Sequence, residues 1–223
     1  MKPYRILIKL PTRSRPEQFL NVLRLLHEKA TDRKNVDYLV SVDHDDPTMT
    51  LEVKQAGCVN GTTIIGGTSN NKIHACNRDI EKGKDWDIIV LISDDMIPQI
   101  DGWDEIIRQA MTKYYPDTDG TLWFNDGYQD RICTLCIIGR KYFDRFGFIY
   151  HPDYNSLFCD NEFTEVAKGL DKMTYFTACI FRHEHFANNP QIKRDKLYDR
   201  NEAFFNIDKA TYERRKAEGF PNK

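Results

Sequence analysis

The N-terminal part of the sequence alternates between short apolar runs with the twofold spacing of strands and segments with the 3.6-residue spacing of helices. The predicted strands are Tyr4–Leu10, Asp37–Asp43, Thr62–Ile65 and Asp87–Ile92. The predicted helices between them are Pro16–Lys29, Pro47–Ala56 and Asn71–Lys82. Strands that alternate with helices form βαβ units, and such sheets are covered on both faces. The sequence therefore predicts an α/β fold with a mainly parallel sheet flanked by helices.

The second half of the chain is less regular and ends in a polar segment. Its predicted helices are Asp101–Tyr114, Arg140–Phe146 and Asn161–Lys168, and its predicted strands are Thr121–Phe124, Arg131–Ile138 and Met173–Phe181. From about Asn188 the chain is charged, and Asp208–Glu218 is a predicted last helix. We expect a main domain over residues 1–187 and a C-terminal helical extension over residues 188–223. This extension would pack over the main domain or mediate self-association as a homodimer.

Composition and charge exclude several classes of protein. A net charge of −2 over 223 residues argues against extensive nucleic-acid binding, which requires a surplus of cations. The longest apolar runs, Ile88–Ile92 and Cys133–Ile138, are too short to span a membrane, and the N-terminus lacks a signal-peptide pattern. The six cysteines are spread over the chain without a dense framework, as is typical of reduced thiols. We therefore expect a soluble, cytoplasmic protein without a transmembrane segment.

The residues that follow the predicted strands are charged. Strand one leads into Pro11–Pro16, which contains Arg13 and Arg15, strand two ends at Asp43, and strand four leads into Ser93–Met96. Ligands of open parallel sheets bind beyond the carboxyl ends of the strands, so these residues converge on one edge. A basic patch beside two acidic clusters suits an anionic ligand that a divalent cation bridges to the protein.

The Asp94–Asp95 pair is the main candidate for holding that cation. Two adjacent carboxylates repel each other unless a positive charge lies between them, and Mg²⁺ or Mn²⁺ takes one or two carboxylates together with phosphate oxygens. His183 and His185 follow the last predicted strand and have the spacing that puts both on one side of it, so either could add a nitrogen ligand. The alternatives are an Asp that caps the next turn and a surface pair of histidines.

Asp160 and Glu162 stand at the start of a predicted helix. Asp160 could be its N-cap, with Glu162 favourable in the first turn. Either carboxylate could instead be a general base that deprotonates an acceptor hydroxyl.

Several other motifs predict no chemistry. Cys133 and Cys136 form a CxxC inside a strand-like run and are interpreted as buried packing residues. Gly66–Gly67 matches neither the dinucleotide-binding nor the P-loop pattern, and no GxSxG nucleophile motif occurs in the sequence.

Taken in order, these pieces resemble a GT-A glycosyltransferase of the family-2-like group, whose fold is Rossmann-like. The family's nucleotide-binding turn corresponds to Pro11, Thr12, Arg13 and Arg15, and its Asp on the base or ribose to Asp43 or Asp45. Its helix with an Asn on the donor side corresponds to the segment from Lys72 to Arg78, which contains Asn77, and its DxD-type motif corresponds to Ser93, Asp94 and Asp95. Its acceptor-side acidic motif corresponds to Asp160 and Glu162, and its downstream metal ligand to His183 or His185. The resemblance covers roughly residues 4–186.

The resemblance implies a metal-dependent transfer of a sugar from a nucleotide-diphosphate sugar, most commonly a UDP-sugar, to an acceptor hydroxyl with inversion. Mn²⁺ or Mg²⁺ would be bound by Asp94 or Asp95 with a histidine, and Asp160 or Glu162 would be the base. One departure is Ser93, which stands where a strict DxD ending at Asp95 has its first Asp.

Two alternatives remain open. A sugar nucleotidyltransferase would have a Gly-rich loop after strand one, and Pro11–Pro16 contains no Gly. A non-catalytic module that only binds a nucleotide-sugar is compatible with the incomplete DxD. The acceptor could be a glycan, a protein, a lipid or a modified nucleobase.

Overall fold

The fold is a seven-stranded sheet between helices, accompanied by a separate two-stranded sheet. The computed structural model describes residues 3–83 and 85–220. The strands are β1 (Ile6–Thr12), β2 (Val36–Asp43), β3 (Thr62–Gly67), β4 (Ile88–Leu91), β5 (Met96–Pro98), β6 (Thr121–Phe124), β7 (Ile137–Gly139), β8 (Met173–Phe176) and β9 (Phe181–His183). The helices are α1 (Pro16–Lys29), α2 (Leu51–Ala56), α3 (Lys72–Asn77), α4 (Trp103–Tyr114), α5 (Arg140–Asp144), α6 (Cys159–Gly169), α7 (Lys196–Glu202) and α8 (Phe205–Ala217). Short 3₁₀ turns occur at Arg33–Asn35 and Ile80–Lys82.

The large sheet is mainly parallel, which confirms the predicted fold class. Its strand order is β3-β2-β1-β4-β7-β6-β8, and only β7 runs antiparallel to its neighbours. The carboxyl ends of β1, β2 and β4 therefore meet at one edge. The polar residues that follow these strands are brought together there, as the sequence predicts.

Alternation along the central strands divides the core into two layers. Ile6, Ile8 and Leu10 of β1 pack in one buried cluster, while Leu7 packs in the cluster on the other face of the sheet. Strand residues alternate between faces, so both faces must be apolar when both are covered by helices.

Lys9 is the exception to the apolar face of β1. Its side chain is fully buried and its Nζ donates hydrogen bonds to Ser41 Oγ and, at 2.8 Å, to the backbone oxygen of Arg78. Arg78 is the C-cap residue of α3, so the ammonium group stabilises the C-terminal end of that helix.

The helix α3 is shorter than the predicted helix Asn71–Lys82. It ends at Asn77 because Arg78 is extended and Asp79 has a left-handed backbone, with φ of 68°. The predicted helix Pro47–Ala56 is also shorter, because Thr50 accepts a hydrogen bond from the amide of Val53 and α2 begins at Leu51.

Two predicted strands of the second half are wrong in extent. Of Arg131–Ile138 only the C-terminal end pairs, as β7, while the preceding residues form a loop. Met173–Phe181 is divided between β8, which pairs with β6 in the large sheet, and β9, which pairs with β5 in the small one. The sequence did not predict β5 or α7. No described helix is long and apolar enough to cross a membrane.

Lys9 gives a pH-dependent contribution to stability. Burial lowers its pKa to about 8 from the ordinary value of 10.5. Between these pH values the unfolded chain binds the proton and the folded chain has released it, so the unfolding free energy rises with pH, by up to about 3 kcal/mol. Urea denaturation from pH 7 to 11 should show this rise in the wild type and its loss in Lys9→Met.

Lys209→Met removes an exposed ammonium group and is the matched control, since its pH profile should follow the wild type. A Lys9→Met profile that parallels the wild type would contradict the assignment.

Candidate functional site

A cavity of about 600 Å³ opens at the carboxyl ends of β1, β2 and β4. The predicted site residues that line it are Pro11, Thr12, Arg13, Arg15, Asp43, Lys72, Ser93, Asp94, Asp95, Asp160, His183 and His185. Three predicted residues, Asp45, Asn77 and Glu162, are not among its lining residues. The cavity is large enough for a nucleotide-sized ligand.

Asp94 and Asp95 lie in the turn between β4 and β5. Asp94 is buried and accepts hydrogen bonds from Thr12 Oγ1 and Arg15 Nη1, both at 3.1 Å. Burial and the neighbouring Asp95 nonetheless raise the pKa of Asp94. Burial also acts to raise the pKa of Asp95, but His183, Ser93, Arg15 and Tyr198 outweigh it, so the net shift of Asp95 is downward. Asp95 is thus the more firmly ionised member of the pair.

His183 reaches Asp95 because β9 pairs antiparallel with β5, with Met96 opposite His183. The distance from His183 Nε2 to Asp95 Oδ1 is 3.6 Å. His183 Nδ1 is buried and has no hydrogen-bond partner in the described chain. The His185 ring lies 5.4 Å from the His183 ring, and burial together with His183 lowers the pKa of His185 to about 4. A neutral imidazole is the form that binds a metal.

The donor atoms around Asp95 suit a divalent cation, although they do not form a complete cage. Within residues 3–83 and 85–220, no three or more His, Cys, Asp or Glu side chains converge as a metal site. Mg²⁺ and Mn²⁺ commonly use one or two carboxylates and take their remaining ligands from water and substrate phosphates. A carboxylate whose Oδ1 lies 3.6 Å from Nε2 of a half-buried histidine fits such a partial site.

The segment around α7 covers the acidic pair, and this the sequence did not predict. Asp195, the N-cap of α7, accepts hydrogen bonds from Arg15 Nε at 2.8 Å and Arg15 Nη2 at 3.0 Å. Tyr198 stacks under the same guanidinium, 4.1 Å from ring centre to Cζ, and its hydroxyl donates to Asp95 Oδ2 at 3.0 Å. The one signal in the sequence is an Asp three residues before an aromatic residue, which is typical of a helix start.

Arg13 is held by the other acidic cluster. Its Nη1 lies 2.9 Å from Asp43 Oδ2 and 2.6 Å from Asp45 Oδ1. The side chain of Asp45 is 70% exposed and pairs with Arg13 outside the cavity. Asp43 is buried in the wall, and its Oδ1 has no hydrogen-bond partner in the part of the chain that the structure describes. Asp43 is therefore better placed than Asp45 to accept a hydrogen bond from a ligand.

Lys72 projects into the cavity from the first residue of α3. The helix start is fixed by Asn71, whose side chain accepts a hydrogen bond from the amide of His74 at 2.8 Å. Burial acts to lower the pKa of Lys72, but nearby thiols, Asp160 and Asp95 outweigh it, so the pKa is raised. The ammonium group therefore stays charged and acts on both the Asp95 and the Asp160 carboxylates.

Asp160 faces the cavity from the N-terminal turn of α6. The N-cap position is occupied by Phe158, with φ of 61°, so the interpretation of Asp160 as the cap is wrong. Asp160 lies at the second helical position and its Oδ1 accepts a hydrogen bond from the amide of Asn161 at 3.0 Å. Burial raises the pKa of Asp160. A carboxylate with these properties can take up a proton.

Glu162 does not reach the cavity. Its carboxylate is buried and accepts hydrogen bonds from Arg215 Nε and Nη2, both at 2.8 Å, and from the Tyr154 hydroxyl at 2.7 Å. Two residues along a helix are separated by about 200°, so Asp160 and Glu162 point in nearly opposite directions. The Glu162 carboxylate therefore accepts its hydrogen bonds from side chains in the interior of the protein.

Asn77 does not line the cavity but binds a segment that does. Its Oδ1 accepts hydrogen bonds from the amides of Ile149 at 3.0 Å and Tyr150 at 3.2 Å. Its Nδ2 donates a hydrogen bond to the backbone oxygen of Tyr150 at 2.6 Å. Tyr150 lines the cavity, so Asn77 holds part of the wall in place.

Sequence reasoning missed the loop that forms another wall. Buried Asp126 accepts hydrogen bonds from the amides of Tyr128 and Gln129 and from Thr134 Oγ1. This loop places Gln129, Thr134 and neighbouring side chains in the cavity wall. The predicted strand Arg131–Ile138 covers only the last part of this segment, and Asn125, Asp126 and Gly127 are the residues that indicate a turn before it.

No family model and no curated protein sequence matches the chain. Among solved structures it is similar to the mannosyltransferase PcManGT from Pyrobaculum calidifontis, solved in complex with GDP-Man and Mn²⁺, with a TM-score of 0.65, 14% identity and coverage of 92% of this chain and 70% of that one. It is also similar to S. aureus TarS, with a TM-score of 0.62 and 10% identity over 81% of this chain and 37% of that one.

A TarS fragment of residues 1–349 in complex with UDP gives a TM-score of 0.62, 10% identity and coverage of 80% of this chain and 60% of that one. At these identities the likeness shows the fold, and the predicted GT-A fold is confirmed. The chain spans less than two thirds of the TarS chains that it matches.

Asp160 and Glu162 of α6 should differ in their contribution to stability. Glu162→Gln removes the carboxylate that accepts two hydrogen bonds from buried Arg215, and the remaining ion pair to Asp153 is longer, at 3.6 Å. The unfolding free energy should fall by about 3 kcal/mol. Asp160→Asn should leave it unchanged or higher, because burial disfavours the Asp160 charge in the folded state. Urea denaturation at pH 7 measures both.

The control for these variants is Glu165→Gln, which weakens a partly exposed pair between α6 and Lys216 of α8 and should cost less than about 1 kcal/mol. Equal losses for Glu162→Gln and Glu165→Gln would contradict the contrast.

Proposed function

We propose that this protein is a metal-dependent glycosyltransferase that moves a sugar from a nucleoside-diphosphate sugar to an acceptor hydroxyl. The observation that carries the proposal is the pairing of two acidic sites in one cavity, Asp95 with His183 at the end of β4 and Asp160 on α6. The GT-A fold and the nucleotide complexes of its structural neighbours support the proposal.

Asp95 and His183, with His185 or Asp94 beside them, are the residues that would hold Mn²⁺ or Mg²⁺. Such a cation neutralises negative charge that develops on a leaving diphosphate. Lys72 is the cationic side chain best placed to bind phosphate oxygens, since it projects into the cavity next to Asp95. Arg15 would have to exchange Asp195 for a phosphate to do the same, because its fork is occupied by that carboxylate.

Asp160 is the base in this proposal, and Glu162 is not. The acceptor hydroxyl would approach between α6 and the loop that contains Gln129 and Thr134, and Asp160 would take its proton. Burial keeps the Asp160 pKa above its usual range, which makes the carboxylate a stronger base than an exposed one. Attack from the side opposite to the leaving group would give inversion, which comes from the family resemblance.

The donor base and the cellular location are the finer parts of the proposal. A UDP-sugar is the first candidate donor from the resemblance, and a GDP-sugar follows from the ligand of PcManGT. All six cysteines are free thiols, which is compatible with a reducing compartment.

Nucleotide binding should stabilise the native state only when the metal is present. Thermal unfolding with UDP, GDP, CDP and dTDP, each with and without Mn²⁺, should show a shift with one base. A ligand at a hundred times its Kd adds about 2.7 kcal/mol. Asp95→Ala should abolish the shift, whereas Asp101→Ala, which removes a carboxylate that is 85% exposed, should preserve it. No shift with any nucleotide would rule out the proposal.

Asp160→Asn should separate binding from chemistry. The variant should retain the metal-dependent nucleotide shift, but its release of nucleoside diphosphate from the donor, with water as the acceptor, should fall about a hundredfold or more. Steady-state kinetics of diphosphate release measures this. An unchanged rate in Asp160→Asn would show that another group is the base.

The same assays separate the alternatives. A non-catalytic module would bind the nucleotide and release no diphosphate in the wild type. A sugar nucleotidyltransferase would instead form a nucleotide-sugar from a nucleoside triphosphate and a sugar phosphate.

A further inference from the structure

Six of the thirteen residues of α8 are charged, yet two of these charged side chains are almost completely buried. Asp208 is 0% exposed and Arg215 is 1% exposed. They are seven residues apart, or two helical turns, and so lie on the same face of the helix. Burying charges is costly unless each is fully paired, so both positions demand specific partners.

Asp208 binds the loop that leads into α6. Its Oδ1 accepts hydrogen bonds from the Asn155 amide at 2.9 Å and Asn155 Nδ2 at 3.0 Å, and its Oδ2 accepts from the amides of Ser156 at 2.7 Å and Leu157 at 2.8 Å. One carboxylate thus fixes three consecutive backbone amides. Ser156 and Leu157 line the cavity, and Asp160 follows three residues later.

Arg215 binds the first turn of α6 itself. Its guanidinium forms the two-bonded pair with Glu162, one half-turn beyond Asp160. The loop held by Asp208 is also tied to α3, because Asn155 accepts hydrogen bonds from the Ile73 amide at 3.2 Å and from Asn71 Nδ2 at 3.1 Å. The α8 contacts therefore reach both cavity walls that carry Asp160 and Lys72.

Asp160 has little that fixes its position locally. Its carboxylate accepts a hydrogen bond from the amide of the next residue, and the helix start before it is a left-handed Phe158 with no side-chain cap. The position of its carboxylate is therefore set by the placement of the loop and of the first turn of α6 as a unit. Asp208 contacts the loop of this unit and Arg215 contacts its first helical turn.

We infer that Asp208 and Arg215 are positioning residues that hold Asp160 at the distance from the Asp95 site that transfer requires. The inference rests on the proposed function. Neither side chain lines the cavity, so each acts through the Asn155–Glu162 segment. A base that is displaced by about 1 Å can lose about a hundredfold in rate while ligand binding is preserved.

The test compares Asp208→Asn with Glu165→Gln in diphosphate release from the donor. Asn keeps the shape of Asp208 but has one acceptor oxygen and adds an NH₂ group that faces backbone N–H donors. We expect kcat to fall about tenfold to a hundredfold in Asp208→Asn, with KM for the donor and the Mn²⁺-dependent nucleotide shift unchanged. Glu165→Gln, which weakens an α6–α8 contact on the exposed side, should retain the wild-type kcat.

Two further measurements keep the inference testable if Asp208→Asn folds poorly. Arg215→Lys keeps the buried charge and loses the fork, and it should show the same fall in kcat without a change in KM. Hydrogen exchange of the Ser156 and Leu157 amides should accelerate in Asp208→Asn and not in Glu165→Gln, a readout that does not depend on activity.

The outcomes distinguish this inference from the proposed function. Wild-type kcat in both Asp208→Asn and Arg215→Lys, with Asp160→Asn inactive, would overturn the positioning role and leave the proposed function intact. A rise in KM equal to the fall in kcat would also overturn it, because the effect would then be a general loss of structure. A wild type that neither binds nucleotide nor releases diphosphate would overturn the proposed function itself.

Discussion

The site depends on two adjacent carboxylates at the end of a fully buried strand. β4 is apolar and covered on both faces, and Asp94 and Asp95 follow it within a few residues. Like charges this close cannot both stay ionised without compensation. Thr12 at the end of β1, Arg15 just before α1 and His183 on β9 supply it. The paths of β1, α1 and β9 at this edge are thus constrained by one electrostatic requirement.

The same requirement explains why the C-terminal segment approaches the cavity. Arg15 is a large cation that is 7% exposed, and Asp94 and Asp95 satisfy only part of its fork. Asp195 completes it and Tyr198 covers its face. A phosphate accepts the same paired hydrogen bonds from a guanidinium group as the Asp195 carboxylate does, so in the proposed function a donor phosphate would compete with Asp195 for Arg15.

The sequence predicted the parts of the fold that follow from local periodicity. α1 has the predicted bounds, Pro16–Lys29, because a buried apolar stripe and Pro16 in the first turn both fix it. The sheet edge followed, since parallel strands align their carboxyl ends, and most of the predicted site residues line the cavity there. Elements that depend on tertiary partners could not be predicted from local periodicity. The predicted strand Met173–Phe181 is divided because β9 pairs with β5, a strand of only three residues.

The choice between Asp160 and Glu162 shows the same limit at the level of one turn. Both carboxylates lie at the start of α6, and the sequence alone does not decide which of them is the base. Their directions depend on where the helix begins, which is set by the left-handed backbone of Phe158. Their environments depend on Arg215, which is far along the chain and buries Glu162 as its partner. Because the same pair docks α8 on the turn that carries Asp160, the segment after residue 187 and the cavity are linked through buried charges.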